Sequence, residues 1–356
     1  MFGVPQMVSV TSLIWRKCRR YRKSLLAAAV LAGLLLLQSS ALWSQPATAS
    51  DIYWLTGAAT YRPPECDCSR RLPDPSNSPL VRSHCGPEAD ARGPGQNVIS
   101  YSFYGSNYTA YLRGAAMNAK RARRLYPGWV MRVYYHGSQR GGRWGTEYCR
   151  VRCAYDHVDF CDVSRLEGFG ELGRQRGSIW RFLVMDDPTV RRYIVRDLDS
   201  LITERERAAV QEWLDSNKTF HVMRDSPHHG SAILAGMWGG DNARAALYRP
   251  LIQQLIRPSW PAVRIRLRVL VTFSDERFWD QVLLEFVLWP EMSLRRDVMV
   301  HDSYHCQSDP LSRPWPTQRK DREDFVGYAE LRYYDKLPEE CPPACRPPDH
   351  QDWLWC

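Results

Sequence analysis

The chain has 356 residues, with 48 Lys and Arg against 39 Asp and Glu, a net charge of +9, and 11 cysteines. Six of the basic residues, Arg16, Lys17, Arg19, Arg20, Arg22 and Lys23, crowd the N-terminal segment, so residues 24–356 carry only +3. So small a charge is no nucleic-acid footprint, and residues 96–356 are long enough for one large domain.

Residues 1–23 read as a cytosolic tail. No residue from Ser24 to Trp43 is charged, and a span of roughly 20 residues crosses a bilayer as a helix. The basic cluster places the tail in the cytosol and Trp43 at the far interface, a type II signal-anchor with one transmembrane helix. The rival reading is a cleaved signal peptide, because the strongly apolar part runs only from Leu25 to Leu37 and Ala47-Thr48-Ala49 offers a cleavage site. In both readings the rest of the chain leaves the cytosol. Ten cysteines follow the span, an even number suited to disulfides in an oxidising compartment. Cys149, Cys153 and Cys161 as a zinc site is the alternative. Cys18 stays on the cytosolic side, a palmitoylation candidate or an idle thiol. Asn107-Tyr108-Thr109 and Asn217-Lys218-Thr219 are N-glycosylation sequons, so the expected product is a glycoprotein.

Residues 44–95, rich in Pro, Ser, Arg and Cys, read as a stem partly pinned by Cys66, Cys68 and Cys85. Residues 96–356 then alternate strand and helix signals. Strands are expected over Asn97–Tyr104, Val130–Tyr135, Val158–Val163, Tyr193–Arg196 and Phe220–Met223. A basic helix is expected over Tyr108–Leu125, stopped by Pro127-Gly128, and another over Thr203–Asp215. Ile179–Met185 is short and apolar. Asp280–Leu288 is helical or extended, closed by Trp289-Pro290, and Arg264–Leu270 alternates like a strand with one basic face. This alternation predicts an α/β fold with a mainly parallel sheet flanked by helices.

The sharpest motif is Arg196-Asp197-Leu198-Asp199-Ser200, where an apolar strand runs into two aspartates spaced Asp-x-Asp. In an extended strand, residues two apart face the same side. Asp197 and Asp199 would then aim two hard oxygen ligands past the strand's carboxyl end, where open α/β sheets bind ligands. The structural counterpart is helix-cap chemistry, with Ser200 or Asp199 capping a helix that opens in Thr203-Glu204-Arg205-Glu206.

With the block Arg181 to Val190, the segment Phe220 to Gly230 and the run Ile233 to Gly239, the chain resembles Golgi-type glycosyltransferases of the GT-A class of nucleotide-diphospho-sugar transferases. It is similar within that class to a poorly characterised transferase-like family, and the resemblance covers roughly residues 97–328. It implies a metal-dependent transferase that moves a sugar from a nucleotide sugar donor to a glycan, glycoprotein or glycolipid acceptor. The site would lie in the lumen of the Golgi or ER. Mn²⁺ or Mg²⁺ would be held by Asp197, Asp199 and a histidine, His301 in preference to His305. Phe103, Tyr104 and Gly105 would receive the nucleoside ring, with Asp197 also against the nucleotide. Asp280-Gln281 would contact sugar hydroxyls, Asp280 gaining weight in a retaining enzyme. Asp225 would be the base of an inverting one.

Each assignment has a structural counterpart. Phe103 and Tyr104 serve as plain strand residues, Asp280 as a helix cap, and Arg224-Asp225 as an internal ion pair. The segment around His301 and Cys306 serves as a disulfide-pinned turn, and Met237-Trp238 as a core corner. The Pro-His-His-Gly loop at Pro227–Gly230 lines the acceptor side or makes a turn. The competing function is a lumenal or secreted carbohydrate-binding protein that keeps the fold without turnover.

Overall fold

The computed structural model describes residues 66, 68, 81–105, 108–137, 142–166, 176–256, 279–321, 324–329 and 339–356. The expected tail, membrane span, most of the stem, Asn107 and the Arg264–Leu270 run lie outside these residues. Among the described residues no helix is long and apolar enough to cross a membrane.

The described residues form an eight-stranded sheet in the order β3-β2-β1-β4-β6-β5-β7-β8. The strands are β1 Gln96–Phe103, β2 Val130–Tyr135, β3 Val158–Asp162, β4 Val190–Arg196, β5 Phe220–Arg224, β6 Met237–Asp241, β7 Val298–Asp302 and β8 Ser312–Arg313. Only β6 runs against its neighbours, wedged between β4 and β5. The parallel strands β1, β2, β3, β4, β5 and β7 therefore deliver Phe103, Tyr135, Asp162, Arg196, Arg224 and Asp302 to one carboxyl edge. A mainly parallel sheet is what the alternation of elements predicted. The antiparallel β6 was not, because its Met-Trp-Gly-Gly-Asp sequence carries two glycines and no period of two.

Both sheet faces are apolar, and each carries its own core. Ile99, Tyr101 and Phe103 of β1 face one side, with α2 (Tyr108–Leu125), α3 (Gly142–Ala154) and Trp213 of α4 (Glu204–Leu214). Val98, Tyr193, Val195, Phe220, Val222 and Trp238 face the other, with a 3-10 segment over Gly177–Met185 and α5 (Arg249–Ile256). The same core takes in α6 (Trp279–Leu283), a π-turn at Leu284–Leu288 and α7 (Trp289–Leu294). The sheet is mixed, with helices on both faces. Trp289-Pro290 does not close the helical run, because Pro290 takes a place in the first turn of α7, where its missing N–H breaks no bond.

All ten cysteines beyond the N-terminal segment are paired. Cys66 and Cys68 bridge Cys149 and Cys153, one turn apart on α3, and Cys85 bridges Cys161 of β3. Cys66, Cys68 and Cys85 are thus tied to α3 and β3, and these cysteines are no zinc ligands. Cys306–Cys345 and Cys341–Cys356 knot the C-terminal segment.

Candidate functional site

β4 ends at Arg196, and Asp197 is the first residue past it. The Ser200 N–H donates to the Asp197 carbonyl at 3.1 Å, so the two aspartates lie in a turn. The extended geometry expected from alternation stops one residue short of them. Neither aspartate caps a helix. Thr203 does so, its side chain accepting from the Glu206 N–H at 3.1 Å. Glu206 does not complete the capping box, because its carboxylate takes Arg196 Nε at 2.8 Å and the Tyr126 hydroxyl at 3.2 Å. α2 clamps the turn from the side. A Cβ on Gly114 would fall 2.0 Å from the Leu198 carbonyl oxygen. Asn118 donates to the Ser200 carbonyl at 2.9 Å and accepts from the Ile202 N–H at 3.0 Å.

The centre of the site is Arg181, which lies outside the Asp-x-Asp motif. Ser100 and Ser102 face the 3-10 segment from β1, where apolar side chains would hold it away. The Ser100 hydroxyl donates to the Arg181 carbonyl at 2.7 Å, and the Arg181 N–H donates to the Ser102 oxygen at 2.8 Å. Thus anchored, the guanidinium bridges Asp197 Oδ1 and Asp280 Oδ2, each at 2.5 Å. Burial acts to lower the Arg181 pKa, but the two carboxylates outweigh it and hold the group above its usual value. Arg181 stays a cation.

Two glycines shape the space around this bridge. A Cβ at Gly236 would stand 2.1 Å from Asp197 Oδ2, and one at Gly177 would stand 2.3 Å from the Tyr104 Cβ. Asp197 keeps 52% of its side chain exposed while Asp280 keeps 5%. Burial lifts the Asp280 carboxyl above its usual range, and Arg181 opposes it. Tyr104 is partly exposed beside these groups, its phenol pushed up to about 12 chiefly by burial, with Asp280 and Asp197 adding and Arg181 opposing. Gln281 reaches the loop rather than the open space. Its amide oxygen accepts from the Ala235 N–H at 2.9 Å and its amide nitrogen donates to the Ile233 carbonyl. It fixes the loop that carries Gly236.

Other expectations fall elsewhere. Phe103 is 1% exposed and stacks on Trp144 at 4.5 Å, a core residue rather than a base platform. Gly105 follows Tyr104 with φ +87, a conformation that favours glycine. His301 is buried among core residues, with Glu212 on Nε2 at 2.9 Å and His221 on Nδ1 at 2.8 Å. Both ring nitrogens are engaged, so His301 has no lone pair for an ion in this arrangement. Asp225 is fully buried and accepts from Arg205 at 2.8 Å, Arg319 at 2.8 Å, Ser303 at 2.6 Å and the Val326 N–H at 2.9 Å. Burial acts to raise its pKa, yet the two arginines hold it well below the usual carboxylate range. It is an internal ion-pair hub, not an accessible base. Arg224 pairs instead with Asp302 at 2.7 Å and with Asp309. Trp238 is a core corner, at 0% exposure. Asn217 is exposed between α4 and β5.

Among the described residues no group of three or more His, Cys, Asp or Glu side chains could hold an ion. The turn nevertheless carries two carboxylates, that of Asp197 half exposed. Mg²⁺ and its relatives take one or two protein carboxylates when substrate phosphates and water complete the shell. The donor set fits such an ion without a histidine.

No protein-family model matches the chain. No curated protein matches it either. Similar solved structures include a glycosyltransferase involved in glycosylation of the major capsid of PBCV-1, with 12% identity over 59% of this chain and 82% of that one, TM-score 0.33. Another is 4-diphosphocytidyl-2C-methyl-D-erythritol synthase from Anaerococcus prevotii, 10% identical over 59% and 88%, TM-score 0.35. A third is the apo form of mouse xyloside xylosyltransferase 1, 15% identical over 60% and 86%, TM-score 0.35.

Proposed function

We propose that the chain transfers a glycosyl group from a nucleoside-diphosphate sugar to an acceptor hydroxyl, in the lumen of the Golgi or ER and anchored by its N-terminal span. The carrying observation is the Arg181 bridge between Asp197 and Asp280. It brings a half-exposed strand-end carboxylate, a buried carboxylate and a permanent cation to one point at the sheet's carboxyl edge. Five disulfides support the lumenal reading.

Asp197 and Asp199 would hold Mn²⁺ or Mg²⁺, which when bound offsets charge building on the diphosphate as the glycosyl bond breaks. Arg181 orients Asp197 and Asp280 and supplies a fixed positive charge in a low-dielectric wall. Tyr104 presents its ring at the β1 end for the nucleoside. Gln281 and Gly236 keep the wall beside Asp197 narrow. With Asp225 sealed in its ion pairs, the retaining course is the reading adopted, with Asp280 beside the sugar.

Calorimetric titration of the full chain with UDP and with GDP, each with and without Mn²⁺, tests this. Binding that needs both the metal and one nucleotide is expected, and Asp197→Ala should abolish it without lowering Tm. Failure of the parent to bind any nucleoside diphosphate in Mn²⁺ would sink the transferase reading and leave a carbohydrate-binding protein.

A further inference from the structure

The loop Pro227–Gly230 follows β5, one strand beyond β6 and the Asp197 turn. His229 is fixed there by a backbone donor. The Asp225 N–H donates to its Nδ1 at 2.9 Å. A backbone amide can only donate, so Nδ1 carries no proton and the neutral ring must carry it on Nε2. Among the described residues Nε2 has no partner, and it is not one of the sealed-off polar atoms.

The ring's neighbours connect it, through Met237 and the segment 324–329, to the loop and turn that carry Gly236 and Asp197. A Cβ at Gly327, where φ is +92, would stand 2.6 Å from Met237 Sδ and 3.3 Å from His229 Cε1. Met237 follows Gly236, which touches Asp197. Residues 324–329 strap this side and are pinned at both ends. The Val326 N–H donates to Asp225 Oδ2 at 2.9 Å, and Ala329 bridges Ser200 beside the aspartate turn. Phe325 flanks the imidazole edge-on, with ring centroids 6.1 Å apart.

We propose that His229 presents its Nε2–H to the acceptor, as a hydrogen-bond donor to a hydroxyl oxygen of an uncharged saccharide. This rests on the transferase reading above and names the acceptor class for the same site. The charges of this side favour an uncharged ligand. Arg205 and Arg319 face Asp225, while Arg224 faces Asp302 and Asp309, three cations against three anions. No arginine of this set is left over for a phosphate or carboxylate. Burial above all pushes the His229 pKa down to about 4, with Asp225 opposing, so the ring does not charge at lumenal pH. Protonating Nδ1 would also break the bond from the Asp225 N–H.

The test compares the full chain with His229→Asn and His229→Gln. Asn keeps an oxygen for the Asp225 N–H and removes the far donor, whereas Gln restores an amide N–H near the Nε2 position. The probes are neutral methyl glycosides of glucose, galactose, mannose and xylose, read by saturation-transfer NMR, with UDP and GDP in Mn²⁺ read by calorimetry. Long-range ¹H–¹⁵N spectra should show His229 with an unprotonated Nδ1. Glycoside affinity should be flat from pH 5.5 to 7.5, fall about tenfold, roughly the 1.4 kcal/mol of a lost hydrogen bond, in the Asn variant, and recover in the Gln variant. Nucleotide affinity and Tm should not move. The proposal is overturned if no methyl glycoside binds the parent, if the Asn variant binds it equally, or if nucleotide and glycoside binding fall together with Tm. Glycoside binding that depends on His229 in a chain that takes no nucleotide would overturn the transferase reading alone.

Discussion

Gly236 and Asp197 are in such close approach that a Cβ on the glycine would fall 2.1 Å from Asp197 Oδ2 and 2.9 Å from Oδ1. The contact is between a loop after β5 and the turn after β4, and only hydrogen at this position leaves the carboxylate where Arg181 holds it. Gly236→Ala should therefore displace Asp197 while leaving the core intact. Nucleotide affinity in Mn²⁺ should fall by roughly tenfold or more, about 1.4 kcal/mol, with an unchanged urea midpoint. An Ala variant that binds like the parent would show that the Asp197 position does not matter to the ligand.

Asp225 satisfies two buried arginines and ties the 324–329 strap to β5. Its removal leaves the Arg205 and Arg319 charges buried without their partner. Asp225→Ala should destabilise the fold by about 3–5 kcal/mol in urea denaturation. Normal stability with lost turnover would restore Asp225 as a base.

The buried pair His221–His301 gives a stability that depends on pH. Glu212 accepts only, so His301 Nε2 carries a proton and its Nδ1 accepts from His221 Nε2–H. Among the described residues His221 Nδ1 has no partner. Burial comes first in lowering both pKa values. For His221 the charges of His301, Arg196 and Arg313 add to it. For His301, Glu212 opposes while Arg313 and Arg205 assist. Both rings stay neutral when folded, whereas in the unfolded chain they take up protons below about pH 6.5. Stability should thus hold above that pH and fall as pH drops through it, by at most ~1.4 kcal/mol per pH unit for each ring. Urea midpoints at pH 7.5 and 5.5 check this. A His221→Gln, His301→Gln double variant with an undiminished pH slope would refute it.

The C-terminal knot should be stabilising. Cys306–Cys345 closes a separation of 39 residues, for which loop-closure entropy gives about 4 kcal/mol. Replacing both with Ser should lower the urea midpoint accordingly. Peptide mapping of unreduced protein should return the five pairs in the structure, and free thiols at Cys149 and Cys153 would contradict it.

The anchored topology has its own check. Protease added to intact microsomes should trim only the tail before residue 24, and carbonate extraction should leave the protein in the membrane. Release by carbonate would favour the cleaved signal.

Much of this molecule is local information. The β-rich run Asn97–Tyr104, the long helix ending before Pro127-Gly128, and Thr203 as a helix cap follow from side-chain shape and backbone chemistry within a few residues. So does the strand that delivers Asp197 to the carboxyl edge, because an apolar run buried on both faces has few other homes. The evenness of ten cysteines announced disulfides, but not which sulfurs meet. Pairings 39 to 85 residues apart are made by packing, in partners no spacing encodes.

What only the tertiary structure decided is which charged groups face each other. Arg181 and Asp280 are 99 residues apart, and Asp225 finds Arg205 and Arg319 rather than its neighbour Arg224. His301 carries the residue type of a metal ligand, yet the packing of α4 against β5 and β7 gives its nitrogens to Glu212 and His221. A side chain's chemistry is written at its own position, while its partner is set by which elements the sheet order brings together. The antiparallel β6, invisible to periodicity, is what separates the Asp197 turn from the Asp225 hub.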